Sequence, residues 1–572
     1  IDGDPDLQYF QEISNRYGSK EFLILTYTPK DGMVTDTSIN NLLSLKYKIQ
    51  SLEWVHNVVT LLDVPLLNNS EAPLQERLEK FKTLKDEDVD RDRGFKEIIS
   101  SPVFRNFVIS EDGKTSGIIV YLKKNIPLEN IENKSKKEIE NYRDQLKKQN
   151  HNNILEIRDV IKSYEDIGKI HLGGIPMIAD DMMTFIKSDI IVFGLGVFLF
   201  IIITLWYVFK KLIWILVPIS SCFFSVVIMM GLLGLLGWKV TVISSNFIAL
   251  MLILTMAMNI HMSTRFLQLR ESFPEKDIYE IMILTTSKMF WPILYTVLTT
   301  VIAFLSLIFS EIKPIIDFGW MMTMGLITSF IITFTLLPSL INFVPKENIS
   351  LNEYKDSKIT SFFSSLSQKN QKLIFVITGI MLLLSIIGIS RLEVENSFIN
   401  YFSKKTEIYK GMKLIDEKLG GTTPLEIILK FPKKKKNNND DDEFDDWEDE
   451  SNSNDEEKYW FTKDKIDKIA LVHNYLDSLP EVGKVLSFSS IIDVATLLNN
   501  NKPLGTLEMG VLYSKIPDSI KTEIVDPYIS IKDNEARISL RIIDSQENLR
   551  RNDLINKINN DLKNKLGIDD KE

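Results

Sequence analysis

Residues able to do chemistry are sparse where this sequence is most apolar. Thr255 and Asn259 stand one turn apart in an uncharged run, on one face of a predicted helix. A hydroxyl and an amide so placed can hydrogen-bond to another helix or help to coordinate an ion. His261 and Arg265 follow at the same spacing. They read as an interfacial anchor and a snorkelling cation, with a proton-sensing histidine as the alternative. Asp317, close to Pro314, is an acid at the edge of another apolar run. It reads as a helix-start charge favoured by the dipole or as part of a coupling path. The chain has one cysteine, Cys222, also in an apolar run, which excludes a disulfide framework. No nucleophile constellation, metal-ligand spacing or phosphate loop is evident, so the sequence predicts neither an enzyme nor a cofactor. It shows no basic face for nucleic acid.

The elements around these residues are predominantly apolar helices. The 572 residues exceed one soluble core, and the apolar ones concentrate between Ile190 and Ser390. Six segments are long enough to cross a bilayer, which takes roughly 20 residues. Span A covers Ile190 to Phe209, B Leu212 to Leu236, and C Val240 to Ile260. D covers Met289 to Phe309, E Ile315 to Val344, and F Leu373 to Ser390. Gly194, Gly196, Gly231, Gly234, Gly319 and Gly325 are expected to allow close helix packing. Pro274 to Met282 reads as a short amphipathic helix on the cytoplasmic surface. Ala179 to Ser188, with Asp180 and Asp181, is expected to join the first domain rigidly to span A.

Lysine and arginine alternate across the loops. Lys210, Lys211, Arg265, Arg270, Lys276 and Lys288 fall on one side, together with Lys346, Lys355, Lys358, Lys369 and Lys372. The other loops carry only Lys239 and Lys313. Under the positive-inside rule the first set is cytoplasmic. Both flanking domains then lie on the far side, the periplasm of a Gram-negative cell. The expected layout is a first periplasmic α+β domain over 1–187, a five-helix bundle over 188–345 and a cytoplasmic linker over 346–372. A further span at 373–391 and a second periplasmic α+β domain at 392–572 complete it. The net charge of -10 is partly local, since Lys433 to Glu457 holds four lysines and twelve acids. Residues 433–458 read as a disordered insertion. Calcium binding there is the alternative, without regular ligand spacing to support it.

The two domains echo each other. Tyr9-Phe10, Gly18 and the strand Phe22 to Thr26 match Tyr401-Phe402, Gly420 and Leu425 to Leu429. Ser51-Leu52-Glu53-Trp54-Val55, with Val58, matches Ser478-Leu479-Pro480-Glu481-Val482, with Val485. Leu62 to Val64 matches Ile492 to Val494. Phe107 to Ile109, then Gly117 to Leu122, match Tyr528 to Ile531, then Arg537 to Ile542. Matches in one order argue for duplication. The duplication implies a span before Ile1 and five after Glu572, giving two six-helix halves, a common transporter plan.

The stretch Ala257-Met258-Asn259-Ile260-His261 with Arg265 and Arg270-Glu271 resembles the resistance-nodulation-division superfamily. So do Leu298-Thr299-Thr300 through Leu307 to Asp317-Phe318-Gly319, and Leu336 to Leu340. Within that superfamily the layout resembles in particular the lipid exporters of the mycobacterial membrane protein large (MMPL) group and the sterol-sensing-domain proteins. The resemblance implies a duplicated polytopic α-helical membrane protein with two porter-like α+β domains. It implies an inner-membrane exporter of a hydrophobic or lipid-like substrate, with membrane lipids as partners and a homo-oligomeric assembly. It also implies two alternatives: a non-transporting lipid-binding sensor, and an accessory factor in protein translocation. The proton-driven relatives carry acids where this chain has Ala257 and Met258, so the resemblance leaves no proton carrier at those positions.

Overall fold

The computed structural model describes residues 5–18, 21–67, 81–123, 136–238, 240–241, 243–310, 312–344, 358–392, 397–432, 460–498, 502, 505, 521, 525–546 and 549–568. The expected insertion at 433–458 and the cations Lys239, Lys346 and Lys355 lie outside them. The chain divides into two compact units. One is Asp181–Glu393, and the other combines Gly3–Asp180 with Val394–Glu572.

The first repeat opens with α1 (Pro5–Arg16) and β1 (Phe22–Pro29), then α2 (Asp36–Gln50), β2 (Val55–Val59) and α3 (Arg91–Ser100). It closes with β3 (Ser116–Leu122), α4 (Lys136–Lys162) and β4 (Gly168–Gly173). Its sheet has the order β2-β3-β1-β4. The strands form because β-branched and aliphatic residues alternate or run together between turn residues. Leu23, Leu25, Ile118 and Val120 fill the core with Leu42, Leu45 and Ile49 of α2.

The spanning helices follow. They are α5 (Ile175–Phe209), α6 (Ile213–Leu235), α7 (Phe247–Ser272), α8 (Ile278–Leu305) and α9 (Lys313–Asn342). A shorter α10 (Lys358–Lys369) precedes α11 (Gln371–Ile389). Among the described residues, six helices are long and apolar enough to cross a membrane. Their ends correct the expected bounds. α5 begins at Ile175, well before Ile190, and carries Asp180 and Asp181 inside it. α7 starts at Phe247 and continues past Ile260 to Ser272. The segment Pro274 to Met282 is not a separate surface helix. Asp277 is the N-cap residue of α8, and Ile281 and Met282 are already buried in its first turns. Apolar periodicity does not distinguish a short surface helix from the leading turn of a long one.

The glycines divide in the same way. A Cβ on Gly319 would lie 2.7 Å from the Phe304 carbonyl oxygen, and one on Gly325 would lie 3.2 Å from the Met251 sulfur. Gly194, Gly196, Gly231 and Gly234 face nothing within 4 Å, so the expectation of close packing fails there.

The second repeat contains α12 (Glu407–Lys418), β5 (Thr423–Lys430), α13 (Lys463–Asp477), β6 (Val482–Leu486) and α14 (Phe488–Leu498). β7 (Ile529–Ser530), β8 (Glu535–Ile542) and α15 (Arg551–Asn564) follow. β8 pairs with β5, β6 and β7. Duplication holds at the level of single bonds. Val55 pairs Leu122 and Val482 pairs Ile542, each followed by a bulge in register. Gly117 N–H donates to the Val108 carbonyl at 2.7 Å, and Arg537 N–H donates to that of Tyr528 at 2.7 Å.

The leading helices are exchanged. α12 packs on β4 and β1 of the first repeat, where Ile415 and Leu419 meet Ile24. It comes this close because Gly411 has no side chain; a Cβ there would lie 2.4 Å from the Leu172 carbonyl oxygen. α1 reaches the second repeat in return. Arg16 Nη1 donates to Glu535 at 2.5 Å, and the Arg537 guanidinium sits 5.5 Å from the Tyr17 ring.

Candidate functional site

Three helices of the bundle each present a pair of small polar residues one turn apart. α6 supplies Ser221 and Ser225, α7 supplies Thr255 and Asn259, and α9 supplies Ser329 and Thr333; all are buried. An i, i+4 pair lies on one face of a helix, so three such pairs can meet in a single seam. Thr255 and Ser329 hydroxyls are 2.7 Å apart. Thr333 Oγ1 donates to Asn259 Oδ1 at 2.9 Å, and Asn259 Nδ2 donates to the Pro218 carbonyl at 3.1 Å. Ser221 Oγ approaches Asn259 Oδ1 at 3.5 Å, and Ser225 Oγ donates to the Ser221 carbonyl at 3.1 Å. Asn259 is therefore the hub, tying α7 to both α6 and α9.

The seam holds no titratable group, so its members do not carry protons at neutral pH. Their oxygens can orient water or a dehydrated cation. Beyond it, the buried hydroxyls of Ser263 and Thr323 have no hydrogen-bond partner among the described residues.

The other sequence candidates lie apart from the seam. His261 is exposed on α7, and Arg265 is half-buried and donates to Gln268 Oε1 at 3.2 Å. α7 runs about two turns beyond Arg265, so neither residue marks its end as expected. Asp317 is half-buried, the fifth residue of α9 and just past its first turn. It lies about 18 Å along the helix from Ser329 at 1.5 Å per residue. Ser221, Ser329 and Thr333 were missed from sequence. Their i, i+4 spacing was the available signal, but serine and threonine are common in spanning helices, where they bond back to their own backbone.

A second feature is a cavity of about 520 Å³ between α8 and α9. Tyr279, Phe290, Trp291 and Phe334 form its walls, with Thr286 and Ser339 as polar points. Phe290 is wedged edge-on against Phe330 and Phe334 at 5.8 and 5.5 Å.

Among the described residues, six helices long and apolar enough to span a membrane, three of them joined by a buried polar seam, define a multi-pass membrane protein. Residues 68–368, just over half of the chain, match the MMPL family. The chain belongs to the MMPL family and is an RND/MMPL-type transporter. No curated protein matches it.

Proposed function

We propose that the protein exports a hydrophobic or lipid-like molecule from the inner membrane or periplasm, with the two repeats in the periplasm. The cavity between α8 and α9 carries this reading. Its aromatic walls and few hydroxyls suit an acyl chain or a polycyclic lipid, and Trp291 and Tyr279 are exposed on the outer surface of these helices. Homo-oligomerisation is part of the proposal, as the family resemblance implies.

In this reading Thr255 and Asn259 couple transport through the seam, without a proton of their own. Arg265 and His261 anchor α7 at the interface, and Asp317 is the edge acid. A second reading, a non-transporting lipid sensor, is favoured by the same absence of a titrating seam residue; a role in protein translocation is a third.

The test is flux of a fluorescent lipid by the full-length protein in vesicles, with and without a proton gradient. Asn259→Ala and Thr255→Val are expected to reduce flux at equal folded amount, while Asp317→Asn is not. Filling the cavity with Ser339→Trp is expected to block flux. Lipid binding without flux identifies a sensor. Loss of a proton-dependent flux in Asp317→Asn alone makes that acid the carrier. A reporter near Lys358 is expected to score cytoplasmic and one after Glu450 periplasmic, and the reverse at both removes the topology.

A further inference from the structure

The sheet of the second repeat has two unlike faces. Ala536, Ile538, Leu540 and Ile542 of β8 fill the core, and Arg537, Ser539 and Arg541 alternate with them on the opposite face. Glu426 and Lys484 share that face as the cross-strand partners of Ser539 and Arg541. Glu426 is consumed locally. Arg537 Nε and Nη2 donate to its two oxygens at 2.7 and 2.8 Å, and Ser539 Oγ adds a bond of 3.0 Å.

Arg541 and Lys484 are left directly opposite each other, and neither has an ion pair with a carboxylate among the described residues. Like charges in that position destabilise a sheet. Lys484 is 7% exposed and donates one hydrogen bond, to the Pro102 carbonyl at 2.5 Å. The Arg541 guanidinium lies 4.8 Å from the centre of the Phe107 ring. Arg105 adds a positive charge felt by Lys484, with Asp477 the acid acting against it; the phenols of Tyr121 and Tyr528 act on Arg541. The positions grade from buried Lys484 through half-buried Arg541 to exposed Arg105. At the same register in the first repeat the pair is Asn57 opposite Tyr121, which is neutral.

We propose that Arg541, Lys484 and Arg105, backed by the Phe107 ring, form an oxyanion site of the phosphate class at the seam between the repeats. An oxyanion supplies the countercharge that the sheet lacks. The planar guanidinium can grip it through two parallel N–H bonds while the ammonium acts as a point charge. The exposed Arg105 marks the way in. Resting on the lipid-export reading, the occupant is the headgroup of an acidic amphiphile; free phosphate has the same chemistry.

The test is titration of the full chain in neutral detergent with decyl phosphate, inorganic phosphate and, as a control, decyl maltoside. Replacing the pair with its counterpart from the other repeat, Lys484→Asn with Arg541→Tyr, is expected to weaken decyl phosphate binding at least about tenfold. It should leave the unliganded protein no less stable, because repulsion is removed. Lys557→Gln, which removes an exposed charge paired to Glu481 and outside the proposed site, is expected to leave decyl phosphate binding unchanged. Should the double variant not fold, Arg105→Gln carries the test with about a threefold loss. Equal affinity in wild type and variant, or an equal loss in Lys557→Gln, overturns the site. If both phosphates bind and both depend on the pair, the site stands. Decyl phosphate binding tighter than phosphate then supports the headgroup, whereas equal affinities keep the site and remove the lipid.

Discussion

The two repeats share their hydrogen-bonding plan and differ in what they place on the outer face of the sheet. In the first, Ile24 on that face packs against Ile415 and Leu419 of the exchanged α12. In the second, the same face carries Arg537, Arg541, Lys484 and Glu426, and meets Arg16 of α1 and Tyr17 just beyond it. Leu419 lies over Gly117 where Tyr17 lies under Arg537. One scaffold thus supports an apolar seal in one copy and a charged seam in the other. Backbone pairing is indifferent to side-chain charge, so duplication preserves the ladder while its faces diverge. The apolar copy gains stability from burial; the polar copy depends on satisfied pairs, and any unpaired charge in it is costly.

Glu426→Ala tests that dependence most severely. It strands the Arg537 guanidinium in a half-buried seam and is expected to cost about 3–5 kcal/mol. Its counterpart in the first repeat, Ile24→Val, is expected to cost about 0.5–1.5 kcal/mol. Thermal unfolding followed by tryptophan fluorescence measures both, and equal losses would erase the distinction between the copies.

Gly411→Val drives a side chain into the Leu172 carbonyl and is expected to cost about 3 kcal/mol, at the top of the range for overpacking. Counting back from Gly18 and Gly420, the residue of α1 equivalent to Gly411 is Tyr9, which the sequence matches to Tyr401. Tyr9 is exposed, so Tyr9→Val is expected to stay within about 0.5 kcal/mol. Protease resistance of the repeats in the two variants separates these outcomes.

A pH titration sharpens the contrast further. Burial pushes the Lys484 ammonium down to about 8 from its ordinary 10.5. The folded state therefore binds this proton less tightly than the unfolded chain, and stability rises as pH climbs from 8 towards 10.5. Between pH 7.5 and 9.5 the gain is expected to be about 2 kcal/mol, and Lys484→Met is expected to abolish it. A pH profile unchanged by Lys484→Met would show that the lysine is not held as a buried charge.

The smallest effect is expected at the helix ties. Each exchanged helix ends in a cation paired to the other repeat: Lys418 to Asp112 at 2.8 Å, and Arg16 to Glu535 at 2.5 Å. Asp112 is 36% exposed and Glu535 7%. Asp112→Asn is expected to cost at most about 1 kcal/mol, and Glu535→Gln clearly more. Chemical denaturation of the two variants compares them directly, and a larger loss in Asp112→Asn would reverse the assignment of the buried tie.

Six spans, the duplication and the register of its central strands were legible in the sequence alone. An uncharged run longer than a bilayer leaves few options, and the matches at Val55 with Val482 and Leu122 with Ile542 fixed two strands to the residue. Apolar content alone placed β1 against β5 one residue off, because Phe22 aligns with Pro424 rather than Leu425. Such a slip exchanges the two faces of a strand, and a strand apolar on both faces gives no pattern to prevent it. Thr255 and Asn259 stood out as a polar pair at helical spacing deep in their span. Their partners Ser221, Ser329 and Thr333, the exchange of α1 with α12, and the meeting of Lys484 with Arg541 were decided by tertiary structure. Those contacts join residues far apart in the chain, and nothing local to any one of them specifies which distant face it will meet.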